Sequence, residues 1–107
     1  MKALRFAGTA RTDLAGFPEA ARRRAGHELF MVQAGREPED FKPLPIVGRG
    51  AYELRIRDEA GAFRVMYVAK FSHTIYVLHA FQKKTRKTAM TDIELASSRY
   101  RLIRETS

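Results

Sequence analysis

Two stretches, "AYELRIR", which alternates strictly, and "AFRVMYVAKF", in which Phe63, Val65 and Tyr67 recur at every second place, are separated only by "DEAG", and they limit what this chain can fold into more than any other feature. In the first, Tyr52, Leu54 and Ile56 alternate with Glu53, Arg55 and Arg57; in the second, Phe63, Val65 and Tyr67 alternate with Arg64, Met66 and Val68. A period of two places successive side chains on opposite faces of a strand, so an antiparallel hairpin is predicted with "DEAG" as its turn. The run "TIYVLHAF" that follows is apolar on both faces, as a central strand of a sheet would be.

The rest of the chain arranges itself around these strands. "KALRF" reads as a first strand ending near Gly8, held by later strands. Pro18 opens a helix, Glu19 lies in its first turn, Ala21, Ala25, Leu29 and Val32 recur at helical spacing, and Gly35 stops it. The prolines and glycines of "REPEDFKPLPIVGRG" make a surface connection. Thr91 and Glu94 form a T-x-x-E capping box, with Ile93, Ala96, Tyr100 and Ile103 along one face of a last helix. Strand, helix, three strands and helix in that order predict an α+β fold in a single domain, 1–107, with helices packed on one side of a small, mainly antiparallel sheet.

Charge narrows the partners. Twenty Lys and Arg against 12 Asp and Glu give a formal charge of +8, and an anionic partner relieves that self-repulsion: nucleic acid, an acidic protein or an anionic membrane surface. There is no cysteine, which removes disulfides and thiolate chemistry. No apolar run approaches the roughly 20 residues of a membrane span, and "MKALRFAGTARTDL" lacks a signal-peptide apolar block. The expectation is a cytoplasmic protein with no membrane partner.

Several chemistries lack their residues. Asp58 and Glu59 share a turn rather than converging as metal-binding carboxylates, and His27, His73 and His79 are scattered. No G-x-S-x-G or phosphate-binding Gly-Lys loop occurs, and neither a metal nor a cofactor is expected. What remains is a set of cations on strands: Arg55 and Arg64 are out of phase with their apolar neighbours, and "FQKKTRKT" adds Lys83, Lys84, Arg86 and Lys87 directly after the third β run. Arginines and lysines converging on one side of a sheet can grip a phosphate and stabilise the charge that develops when a ribose 2′-hydroxyl attacks it. Tyr52 and Tyr67 can stack on bases, although their parity equally fits core packing. His79 shares parity with Ile75, Val77 and Phe81, so a hydrogen-bonded core histidine stands against an acid–base role. Exposed strand cations also serve solubility and edge protection without further function.

These residues resemble a known family. "KPLPIVGRGAYELRIRDEAGAFRVMYVAKF" followed by "VLHAFQKKTRKT" is similar to the RelE/ParE toxin superfamily, and to its phage-derived HigB-like branch. "DLAGFPEAARRRAGHELFMVQAG" resembles that branch's first helical region, and "DIELASSRYRLI" its last helix. The resemblance implies a RelE-like fold and a toxin of a type II toxin–antitoxin system. Its activity would be that of a ribosome-dependent mRNA endonuclease acting in the ribosomal A site, with a HigA-like helix-turn-helix antitoxin as partner. It further implies catalytic roles for Arg55 in "YELR", Arg64 in "FRVMY" and Lys84 in "QKKT"; Lys83, fixed by the strand before it, and Arg86 and Lys87 beyond it are expected on the RNA through position and charge. Two departures from the pattern stand out: Glu53 occupies a position that is basic in some relatives, and no tyrosine or histidine stands in the segment after Lys84 where several relatives place an acid or base. His79 and Tyr67 are the fallback for proton transfer. A ParE-like topoisomerase inhibitor without catalysis and a generic basic nucleic-acid-binding domain are the alternatives.

Overall fold

The computed structural model describes residues 1–106. In chain order its elements are β1 (Ala3–Phe6), α1 (Ala10–Ala15), α2 (Glu19–Gln33), β2 (Phe41–Pro43), β3 (Ala51–Asp58), β4 (Gly61–Val68), β5 (Thr74–Lys83) and α3 (Met90–Thr106). The strands form one five-stranded sheet in the order β1-β5-β4-β3-β2. β2–β3, β3–β4 and β4–β5 pair antiparallel, and β1 pairs parallel with β5. The α+β class and the mainly antiparallel sheet agree with the sequence reading, as does a RelE-like fold.

The β3–β4 hairpin follows directly from the alternation. Asp58 turns its carboxylate back to accept the Ala60 N–H at 2.8 Å, and Gly61 adopts φ 130°, a conformation a side chain would resist. Phe63, Val65 and Tyr67 point one way and Arg64, Met66 and Val68 the other. The first set joins Leu54, Ile56, Ile75 and Val77 in a core closed by Ala21, Ala25, Leu29 and Val32 of α2.

The second face is also covered, and here the expectation of helices on one side is corrected. Ala51, Met66, Val68 and Leu78 pack against Ala96, Tyr100 and Ile103 of α3. A strand apolar on both faces, as β5 is, exposes too much hydrocarbon unless each face has its own helix. α3 supplies the second cover, but only over the end of the sheet where those residues lie.

A further difference lies within β5. Tyr67 pairs with Val77 while Met66 pairs with His79, so Leu78 is an extra residue. Such a bulge reverses the side-chain alternation beyond it. His79 therefore faces α3 together with Leu78 and Phe81, not the α2 side with Ile75 and Val77. The Leu78 carbonyl at the bulge accepts a 2.8 Å hydrogen bond from the Arg99 guanidinium, which also reaches Thr9 Oγ1 at 3.2 Å. Gly8, at φ 53°, lies under that guanidinium, and a Cβ there would sit 2.7 Å from it.

α1 and β2 were not anticipated. α1 is six residues long, too short to show a helical period, and β2 is three residues inside the proline-rich connection. The capping box is also not formed: α3 starts at Met90, which puts Thr91 inside its first turn.

Candidate functional site

The antiparallel registers place residues of the α3-side face in rows across the strands. One row runs Lys42, Glu53, Met66 and His79; the next Arg55, Arg64 and Phe81; the last Arg57, Ala62 and Lys83. The first row passes under the edge of α3, while the arginines beyond it border an open polar cleft lined by Asp40, Arg55, Ile56, Arg57 and Arg64. Arg55 and Arg64 are direct cross-strand partners, a like-charge pairing that is unfavourable for a sheet in isolation.

The surroundings of the two guanidinium groups differ. Arg55 is partly exposed and grips Asp40, with Nε 3.0 Å and a terminal nitrogen 2.8 Å from Oδ1. Arg64 has only 11% of its side chain exposed. One terminal nitrogen donates to the Phe63 carbonyl at 3.1 Å, while its buried Nε has no hydrogen-bond partner among the described residues and lies 3.8 Å from Glu53 Oε1. Burial pushes the Arg64 pKa down, the charge of Glu53 opposes that, and Arg55 adds to it. A guanidinium that is poorly solvated, beside a second cation and incompletely bonded, gains from a bound anion.

Glu53 is 1% exposed. Its Oε2 accepts the Thr88 hydroxyl at 3.1 Å, and its Oε1 lies 3.7 Å from Lys42 Nζ as well as 3.8 Å from Arg64. His79 is 7% exposed and hydrogen-bonds through Nε2 to Asp92 Oδ1 at 2.7 Å. Its ring stacks on Phe81, 4.6 Å between centroids, and Phe81 is the cross-strand partner of Arg64. The imidazole Nδ1 is buried and has no hydrogen-bond partner among the described residues.

The remaining expected residues divide between this face and elsewhere. Lys83 stands on it, but its ammonium folds back onto the carbonyls of Thr85 and Arg86 and so closes its own loop. Lys84 is the first residue past the strand and is exposed, as are Arg86 and Lys87. Tyr52 and Tyr67 are on the opposite face, stacked on each other at 5.6 Å within the core beneath α2. Tyr67 is 2% exposed, and burial first, then the neighbouring Tyr52 and Glu28, push its phenol pKa well up. The structure thus brings Arg55, Arg64 and Lys83 to one face, and keeps both tyrosines off it.

Sequence reasoning passed over Arg57, Asp40, Lys42, Thr88 and Asp92. Arg57 was legible as the next member of the Glu53, Arg55, Arg57 alternation. The others lie outside the alternating strands, and only folding brings them here. Among the described residues no group of three His, Asp or Glu side chains gathers in a way that could hold a metal ion, and no helix is long and apolar enough to cross a membrane.

A family model described as "Phage derived protein Gp49-like (DUF891)" matches residues 12–101, which include every residue of the cleft. No curated protein matches the chain.

Proposed function

Because the chain belongs to the Gp49-like phage-derived family, within the RelE/ParE-like toxin superfamily, we propose that it is the toxin of a type II toxin–antitoxin pair, of the HigB-like branch. Its activity is that of a metal-independent endoribonuclease that cuts translated mRNA in the ribosomal A site. The observation that carries this reading is the Arg55–Arg64 cross-strand pair, with Arg57 beside it, lining an open polar cleft.

In the proposed reaction the ribose 2′-oxygen attacks the adjacent phosphorus, an O2′–P bond forms and the P–O5′ bond breaks. The 2′-hydroxyl proton is lost and the departing 5′-oxygen gains one, leaving a 2′,3′-cyclic phosphate and a 5′-hydroxyl. Arg64 and Arg55 stabilise the negative charge that builds on the phosphoryl oxygens, and binding on the ribosome aligns the attacking oxygen with the bond it displaces. Phosphate displaces Asp40 from Arg55 as it enters. Lys84 assists at the phosphate from the strand end, while Arg86 and Lys87 follow the RNA backbone through charge. His79 is the acid–base candidate of this face; its ring must be uncovered from Phe81 and the start of α3 before it can exchange a proton with RNA. The antitoxin partner is a HigA-like helix-turn-helix protein, and the site of action is the cytoplasm.

The test is to induce the protein alone and map RNA ends on two copies of one message, one translated and one with its start codon removed. Growth arrest with cuts confined to the translated copy is expected. Equal cutting of both copies refutes ribosome dependence, and a change in DNA supercoiling without RNA cuts replaces the reading with topoisomerase inhibition.

A further inference from the structure

We propose that Glu53 is a positioning residue that fastens the basic loop 84–89 and the Arg64 guanidinium to one point; the inference rests on the reading of this face as a phosphate-handling site. The starting observation is a cost. A carboxylate at 1% exposure loses its hydration, and protein stability alone favours an apolar residue at such a place unless its partners are excellent. The partners of Glu53 are not. Lys42 and Arg64 lie 3.7 and 3.8 Å from Oε1, beyond hydrogen-bond range. Among the described residues, the hydrogen bond to its Oε2, at 3.1 Å, comes from the Thr88 hydroxyl.

Thr88 is the key to what the carboxylate does. It lies two residues before α3, at the far end of the loop that carries the exposed Lys84, Arg86 and Lys87. At the near end, Lys83 Nζ holds the Thr85 and Arg86 carbonyls. The loop is therefore anchored at both ends, and the far anchor is the same carboxylate that stands behind Arg64. The two oxygens of Glu53 act separately, Oε2 on the loop through Thr88 and Oε1 on Lys42 of its own row and Arg64 of the next.

The charge of Glu53 acts on binding and on chemistry with opposite sign. A negative charge 3.8 Å behind Arg64 weakens the pull of that cation on an incoming phosphate, yet it fixes where the guanidinium stands. Glu53→Gln keeps an oxygen to accept the Thr88 hydroxyl and removes only the charge. Thr88→Val keeps the volume and removes only the tether.

The experiment measures kcat and KM for mRNA cleavage on ribosomes, and amide hydrogen exchange of residues 84–88 in the free protein. Glu53→Gln is expected to lower kcat about tenfold without raising KM, the scale of one lost interaction with a charged group. Thr88→Val should raise exchange across the loop about tenfold and lower kcat, with Thr88→Ser restoring both. A raised KM with unchanged kcat for both variants, or lowered melting temperature with wild-type kcat per folded molecule, gives Glu53 a purely structural role and overturns the inference. If the wild-type protein cuts no RNA, the proposed function has failed, and the exchange arm still decides: unchanged loop protection in Thr88→Val overturns the tether, and lost protection upholds it.

Discussion

Replacing Arg64 by Gln separates the role proposed for it at the phosphate from its role in the fold. Gln keeps the aliphatic stem and an N–H donor near the place of Nε, but not the terminal nitrogen that donates to the Phe63 carbonyl at 3.1 Å. With that bond the charge disappears. In the folded protein that charge is opposed by burial, favoured by Glu53, opposed by Arg55 and favoured by Asp40; Glu53 is 3.8 Å from Nε and also has Lys42 and Thr88. The stability change should accordingly be small, about 1 kcal/mol, the value of a typical net hydrogen bond. The effect on cleavage should be much larger. Loss of one preorganised donor from a developing anion costs about 3 kcal/mol, or on the order of 10²-fold in rate. Single-turnover cleavage with saturating protein on ribosomes reads the chemical step, and urea denaturation of the same preparations reads the fold. An Arg64→Gln protein that cuts within about threefold of the wild-type rate, well short of the loss expected for a missing donor, would refute the assignment of Arg64 to the phosphate.

Other perturbations probe separate parts of the account. Asp40→Asn should release Arg55 from its carboxylate partner and tighten binding of a short single-stranded RNA several-fold, as fluorescence anisotropy would show; weaker binding would make Asp40 an orienting partner rather than a competitor. Arg86→Ala and Lys87→Ala, exposed on the loop, should each reduce the magnitude of the salt slope of RNA binding by about 0.7, the value for a single-strand phosphate contact. Their single-turnover cleavage rate at saturation should not change, so a fall in that rate would move them into the chemistry. Tyr67 has its phenol pKa raised by burial, so the folded state keeps the proton that the unfolded chain releases. Its contribution to stability is fully present below the unfolded value of about 10 and is lost as pH rises beyond it. Urea midpoints should fall above pH 10 in the wild type and less steeply in Tyr67→Phe, and identical profiles would refute the burial argument.

The sequence carried the β3–β4 hairpin because Tyr52–Arg57 alternate, Phe63, Val65 and Tyr67 recur at the same period, and the turn between Asp58 and Gly61 then sets the register that pairs Arg55 with Arg64. The buried face of α2 was equally legible, since Ala21, Ala25, Leu29 and Val32 repeat at helical spacing. The bulge at Leu78 was not, because an extra residue in a strand apolar on both faces leaves no mark on the pattern. It moved His79 across the sheet to Asp92 and Phe81. Placing all helices on one side failed for a related reason: Met66, Val68 and Leu78 needed cover, and the two-faced character of β5 already implied it. Around the site, strand cations were visible in advance, whereas Asp40, Thr88 and Asp92 come from outside the strands, and sequence spacing says nothing of where the fold carries them.

The chemistry of the newly made RNA ends tests the central claim most directly. If Arg55 and Arg64 stabilise attack by the 2′-oxygen, transcripts cut by the wild-type protein should end in a 2′,3′-cyclic phosphate, with a 5′-hydroxyl on the other fragment, and these ends should vanish with Arg64→Gln. Ends carrying a 3′-hydroxyl and a 5′-phosphate would mean that water, not the ribose, attacks the phosphorus, and would contradict the account.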